Sequence, residues 1–197
     1  KHTVKFLSRR DGRLIVMKST QYQICTETVM DTSDPDIQFD SDGVCHHWHE
    51  FQERAGKELY HGDDGLRRAR EMAEAIKKET ESKEYDCLIG LSGGVDSSHV
   101  AWLVVKELGL RPLAVHMDNG WNSELAVSNI ERIVKRLDID LHTEVLDWPE
   151  FRELQKAFFR ASVGNVEMAT DHAINATLFR LARQFKIRPI LSGSNLN

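Results

Sequence analysis

The stretch that most constrains this chain is Leu88-Ile89-Gly90-Leu91-Ser92-Gly93-Gly94-Val95-Asp96-Ser97-Ser98. Residues 85–91 read as a buried strand, a short apolar run with a β-branched residue closed by a glycine-rich turn. Residues 99–108 read as a helix, with Val100, Ala101, Val104, Val105 and Leu108 on one face. Between them lie two adjacent glycines and three hydroxyls. A chain with this junction is committed to placing a strand, a tight turn and a helix in immediate succession.

The junction has a chemical use. A strand-turn-helix corner aims free backbone N–H groups at one point, and the helix dipole adds about half a positive charge there. Glycines let the backbone approach an anion closely and reach positive φ without strain. Ser92, Ser97 and Ser98 can donate to phosphate oxygens. Asp96 would repel a bare phosphate, so its natural partner is a Mg²⁺ ion bridging to that phosphate. Ser92, Gly93, Gly94, Val95, Asp96, Ser97 and Ser98 are therefore expected to hold a Mg-bound polyphosphate. A Walker A loop is excluded, because it needs a lysine before the hydroxyl and none lies between Lys83 and Lys106. The stretch resembles S-G-G-x-D-S, the signature of the PP-loop ATP pyrophosphatases. That resemblance implies cleavage of ATP between its α- and β-phosphates, with AMP passing to an oxygen of the substrate.

Hydrophobic residues make up 41% of the 197, enough for a real core. No apolar run approaches the roughly 20 residues needed to cross a bilayer, so no membrane insertion is expected. The charged, broken start lacks a signal-peptide pattern. A net charge of −5 argues against a nucleic-acid partner. Cys25, Cys45 and Cys87 make no disulfide framework, and Cys87 falls inside a strand as a small hydrophobe. A reducing cytoplasm is the expected location.

Three regions are expected: an N-terminal extension over 1–20, a small hairpin unit over 21–60, and the ATP-binding domain over 61–197. Met17 could be the natural start, with residues 1–16 either upstream sequence or a short hairpin. In the small unit, 31–36 is turn-rich and 37–40 reads as a strand. Cys25 and Cys45 bracket this hairpin as the first members of two C-x-x-C pairs would in a zinc knuckle. Thr28 and Trp48 occupy the second positions, and neither is a normal zinc ligand. His46, His47 and His49 could substitute, but adjacent side chains rarely all point inward. The unit is expected to pack without metal.

Leu66, Ala69, Ala73 and Ile76 predict an amphipathic helix over about 65–80. Beyond the loop helix, strands are predicted at 113–117, 141–146 and 188–191. Helices are predicted from 123, over 150–161 and over 171–185, with 162–169 as a loop. Alternation at this spacing predicts an α/β fold, a parallel sheet with helices on both faces. The chain ends just after a strand, where such a sheet would continue into a covering helix, so a longer parent protein is expected.

Ligands in these sheets sit at the carboxyl ends of strands. That rule selects Asp118 and Asn119 beside the nucleoside, with Trp121 either flanking it or packing. It also selects Gly193 and Asn195 after the last strand. Glu167, Thr170, Asp171 and His172 cluster at a helix start, where Asp171 or Thr170 could instead be an N-cap. Asp96, Ser97, Asp171 and His172 are the catalytic candidates. His116 reads as a hydrogen-bonded core histidine and His99 as surface.

Within the PP-loop class the chain resembles the bacterial N-acetyl sugar amidotransferases of surface-polysaccharide biosynthesis. The carriers are Val29-Met30-Asp31-Thr32-Ser33-Asp34-Pro35, Phe39-Asp40, Gly43-Val44-Cys45, the loop, Asp118-Asn119-Gly120-Trp121-Asn122-Ser123-Glu124 and Thr170-Asp171-His172-Ala173. The resemblance implies an adenine nucleotide alpha hydrolase-like fold. It implies that ATP adenylates the acetamido oxygen of a nucleotide-linked N-acetyl sugar. Ammonia then attacks and AMP leaves, giving an acetamidino group for lipopolysaccharide or a related glycan. Ammonia would come from a separate glutaminase subunit, since no Cys–His nucleophile is evident. Zinc held by paired cysteines belongs to the resemblance, but Thr28 and Trp48 break both pairs here. Two rival readings are a PP-loop tRNA-modifying thiolase or amidase, and a non-catalytic ATP-binding module.

Overall fold

The computed structural model describes residues 7–10, 13–16 and 22–194. The chain divides into a first unit through Tyr60 and a second over His61–Asn195.

In the first unit, β1 (Leu7–Arg10) pairs antiparallel with β2 (Arg13–Val16). The segment that follows is built on turns. Asp31, Asp34 and Asp40 each accept a hydrogen bond from the amide two residues on, and Asp40 takes a second from Val44. Such Asx turns substitute a side chain for a backbone partner. The predicted strand over 37–40 reduces to a single bridge, Phe39 to Cys45. Helix α1 (His46–Glu58) has no buried residue. Its first turn is tied back by His47 to Asp34 and His49 to Asp40, both at 2.8 Å.

In the second unit, four parallel strands lie in the order β5-β4-β3-β6. They are β3 (Cys87–Gly90), β4 (Pro112–Asp118), β5 (Asp140–Val145) and β6 (Ile190–Leu191). The period of two along β3 builds two cores. Cys87 and Ile89 face one side, with Ala114 and with Ala73 and Ile76 of α2 (Gly62–Glu79). Also there are Ala101 of α3 (Val95–Trp102) and Ile130 and Leu137 of α4 (Glu124–Leu137). Leu88, Leu113 and Val115 face the other side, against Leu181 of α6 (Met168–Phe185). Helix α5 (Trp148–Arg160) starts at an Asp147 cap. The α/β class is as the sequence predicts, with helices on both faces.

Two helix starts near the site differ. The loop helix begins at Val95, not 99, because the hydroxyl-rich stretch is its first turn. It continues into a π-helical turn over Leu103–Glu107, closed by the Leu108 amide on the Leu103 carbonyl at 3.0 Å. Helix α6 begins at Met168, inside the predicted loop, so neither Thr170 nor Asp171 is its N-cap; Glu167 holds that position. Among the described residues, no helix is long and apolar enough to cross a membrane.

Candidate active site

Strand β3 leads straight into the loop, and the Leu91 amide still pairs with the Val115 carbonyl at 2.8 Å. The chain then turns at Gly93, whose φ is +77°. A Cβ there would lie 2.4 Å from the Ala126 carbonyl oxygen, so only glycine lets the loop rest against α4. Asn129 holds it there through the Gly93 carbonyl at 3.1 Å.

The hydroxyls knit the corner together. Ser97 Oγ accepts from the Ser92 amide at 3.2 Å and lies 3.1 Å from Ser92 Oγ. Ser97 and Ser98 both donate to the Gly94 carbonyl. The amides of Gly93, Val95, Asp96 and Ser97 have no hydrogen-bond partner among the described residues. Four unpaired N–H groups at a helix start form an anion cradle. The Asp96 carboxylate forms no hydrogen bond or ion pair among the described residues, and Asp96 lines the cavity, so it fits a metal ligand.

The cavity is about 700 Å³ and lies at the carboxyl ends of β3, β4 and β6. That volume suits a nucleotide. Ser92, Asp96, Ser97, Asn119, Asp171 and Gly193 of the predicted set line it. Gly193 fits closely, because a Cβ there would lie 2.9 Å from Val100 Cγ2 and 3.3 Å from the Asp96 carbonyl.

Other predicted residues lie elsewhere. Gly93, Gly94, Val95 and Ser98 shape the corner without lining the cavity. Asp118 binds the Gly120 amide and the Asn122 side chain, both at 3.0 Å, so it holds a turn. His172 is exposed and off the cavity, because two residues along α6 turn it about 200° from Thr170. Trp121 packs edge-on against Trp148 and donates to Gln155 at 2.9 Å, away from the cavity. Asn195 lies outside the described residues.

Thr170, from the cluster at the start of α6, also lines the cavity, as do His116, Asn122, Thr177, Ser192 and Ser194, which are outside the candidate set. Ser192 and Ser194 flank Gly193, and Asn122 closes the Asp-Asn-Gly-Trp-Asn stretch, so motif context pointed at them. Thr170 and Thr177 share a helix face seven residues apart. Thr170 Oγ1 is buried without a partner.

The thiols are not nucleophiles of this site. Burial pushes Cys87 up to about 12. In the first unit, burial raises the Cys25 pKa, but bonds from Thr28, from the Cys45 and Glu27 amides and from the Cys45 side chain outweigh it. The result is about 6. Cys25 Sγ accepts from the Cys45 amide at 3.2 Å, and Thr28 Oγ1 lies 3.7 Å from Cys45 Sγ. Two thiols and a neutral hydroxyl do not fit a zinc site, which needs four strong ligands. His46, His47 and Glu50 bring one donor each within 4.8 Å of one another. However, His46 Nδ1 accepts the Gln38 amide and His47 Nε2 is engaged by Asp34.

A Ser-Gly-Gly-x-Asp-Ser corner opening onto a cavity at the ends of parallel strands defines a PP-loop ATP pyrophosphatase, and this protein is one of that superfamily. A family model described as NAD synthase matches residues 68–177, more than half of the chain. The chain belongs to the NAD synthase family. The NH3-dependent NAD⁺ synthetases of two Halobacterium salinarum strains are 35% identical to it over 95 residues. Those matches cover 45% of this chain and 35% of each relative, so the chain spans about a third of the relatives' length. An NH3-dependent NAD synthetase from Campylobacter jejuni is similar at a TM-score of 0.48 and 18% identity, over 66% of this chain and 57% of that one. An NMN synthetase from Francisella tularensis gives 0.44 and 20%, over 64% and 55%.

Proposed function

We propose that the protein is an ATP-dependent amidotransferase that activates a carbonyl oxygen as its AMP ester and replaces it with nitrogen from ammonia. The observation that carries this is the corner itself: four unpaired amides at one turn, with two of their residues, Asp96 and Ser97, lining the cavity, and an Asp96 carboxylate without a hydrogen bond or ion pair among the described residues. An amide is a poor electrophile, because nitrogen donation stabilises it. Adenylation turns its oxygen into a leaving group. The acceptor oxygen attacks the α-phosphorus, the bond to the β-phosphate oxygen breaks, and pyrophosphate departs into the cradle. Ammonia then adds to the carbon, loses a proton, and AMP leaves with the oxygen. Preorganised amides meet the charge on pyrophosphate without reorganising, and one such donor is typically worth about 3–4 kcal/mol. Mg²⁺ at Asp96 would neutralise part of that charge.

For the acceptor we infer the acetamido group of a nucleotide-linked N-acetyl sugar, giving an acetamidino product for surface-glycan synthesis. The support is the stretch over 29–35, which lies before the NAD synthase match begins at residue 68. For the nitrogen source we infer ammonia delivered by a glutaminase, since none of the three cysteines lines the described cavity. Asp171 borders the cavity from α6 and serves the acceptor side. The second reading is amidation of a carboxylate to complete NAD, favoured by the family match.

The test is incubation with ATP, Mg²⁺, ammonium and either UDP- or CMP-linked N-acetyl sugars or the carboxylate precursor of NAD. Mass spectrometry should find O replaced by NH in a sugar. Conversion of the NAD precursor alone would select the second reading. Asp96→Asn should abolish pyrophosphate release while leaving the fold intact.

A further inference from the structure

We infer that His116 is the positioning residue that sets the phosphate corner, acting through a single peptide plane. This rests on the ATP-binding reading of the corner. His116 sits in β4, 8% exposed, and lines the cavity. Its Nδ1 lies 3.0 Å from the Leu91 carbonyl oxygen. Its Nε2 lies 3.1 Å from Asn122 Nδ2, which also donates to Asp118 Oδ1 at 3.0 Å.

These contacts fix the ring's tautomer. A carbonyl can only accept, so Nδ1 carries the proton. The Asn122 amide nitrogen can only donate, so Nε2 presents its lone pair. Both Asn122 hydrogens are used, one on His116 and one on Asp118. The imidazole is thus aimed from both ends.

The Leu91 carbonyl shares a rigid peptide plane with the Ser92 amide, and in a trans peptide the two point opposite ways. Pinning one therefore aims the other. The Ser92 amide donates to Ser97 Oγ at 3.2 Å, and Ser97 donates on to the Gly94 carbonyl at 3.2 Å. One chain of hydrogen bonds runs from the imidazole through Leu91–Ser92 to Ser97 and the loop's third residue. Bonds in such a chain polarise one another. The Leu91 amide is already fixed by Val115, so His116 controls the remaining rotation at the loop's entry.

Two substitutions separate the ends of the ring. An asparagine amide nitrogen falls where Nδ1 was, and a glutamine amide reaches where Nε2 was. His116→Asn keeps the bond to Leu91 and gives up Asn122. His116→Gln does the reverse. The experiment is calorimetric titration of the wild-type protein and both variants with Mg²⁺ and α,β-methylene ATP, and with AMP, alongside thermal unfolding. His116→Gln should bind the triphosphate analogue about tenfold more weakly, the scale of lost outer-shell support. His116→Asn should stay within about twofold, and AMP binding should be the same in all three. Unchanged binding by His116→Gln, equal weakening by His116→Asn, or a parallel loss of AMP binding would overturn the inference. If the wild-type protein failed to bind the analogue at all, the ATP reading would fall, and this inference with it. If it bound the analogue but the variants did not separate, the loss would be confined to His116.

Discussion

Asp86 accepts three hydrogen bonds from Arg111: from its backbone amide at 2.7 Å, from Nε at 3.1 Å and from Nη2 at 2.7 Å. Thr80 adds a fourth at 2.6 Å. The carboxylate is 2% exposed, at the start of the strand that feeds the phosphate corner. Burial pushes its carboxyl up, but the bonds from Arg111 and Thr80 overcome this and hold it below the usual aspartate range. Its folded pKa is thus depressed. The pair stabilises the fold above the unfolded aspartate pKa of about 3.9 and loses that contribution as pH falls through the lower, folded value. Arg111→Ala strands the carboxylate and should cost about 2–3 kcal/mol at pH 7, less than a fully buried pair because the guanidinium is half-exposed. The deficit should narrow below about pH 4, where a carboxyl no longer held down protonates in the folded state. Urea unfolding at pH 7 and about pH 3 measures both.

The two glycines of the corner are equivalent in the sequence and unequal in the structure. At Gly93 the positive φ and the Ala126 carbonyl leave no room for a methyl group. At Gly94, with φ −78°, an added Cβ meets Ser92 Oγ at an ordinary 3.5 Å. Gly93→Ala should displace the loop from α4, weakening ATP binding by roughly tenfold or more, with strain of about 1–2 kcal/mol. Gly94→Ala should bind ATP within about twofold of wild type. Titration with an ATP analogue separates them, and equal effects would remove Gly93's contact with α4 as the cause.

What was legible in the sequence was local. The apolar run before Ser92 and the glycines after it fixed the corner, since strand, turn and helix are consecutive there. Helix α1 escaped because it buries nothing, so no apolar stripe marks it. The start of α3 was misplaced because Val95-Asp96-Ser97-Ser98 is polar, as a first turn often is. Asp31, Asp34 and Asp40 drew attention as parts of a motif, yet each of the three holds a turn. His116 is the hydrogen-bonded core histidine that its place in a strand suggests, but its partner could not be named from sequence, since Leu91 lies 25 residues away and is joined to it only by strand pairing.

Helix phase separates two neighbours that the sequence grouped. Asp171 borders the cavity, while His172 points away from it. His172→Ala should leave amidotransfer within about twofold, as surface changes usually do. Asp171→Ala should lower turnover with the acceptor by about a hundredfold, the scale of a positioned acid–base group, while leaving ATP-analogue binding unchanged. Steady-state kinetics on both variants decides this. A large loss for His172→Ala would mean that α6 rotates in the working enzyme.

The Cys25–Cys45 knuckle permits a constructive test. In a tetrahedral zinc–sulfur site with bonds of about 2.3 Å, neighbouring sulfurs lie about 3.8 Å apart. Thr28 Oγ1 is already 3.7 Å from Cys45 Sγ. The Cys25 sulfur also accepts the Glu27 amide at 3.4 Å, and bonds of this kind stabilise a thiolate. Two geometric requirements of a metal site are met, while the ligand count is not. The wild-type protein should therefore show the same unfolding temperature with and without a chelator. Thr28→Cys combined with Trp48→Cys should bind one zinc ion per chain, with an unfolding temperature that falls when the chelator is added. Chelator sensitivity in the wild-type protein would show that the histidines over 46–49 complete a site after all. A double variant that left zinc unbound would show that the second turn, at residue 48, cannot bring its side chain to the metal.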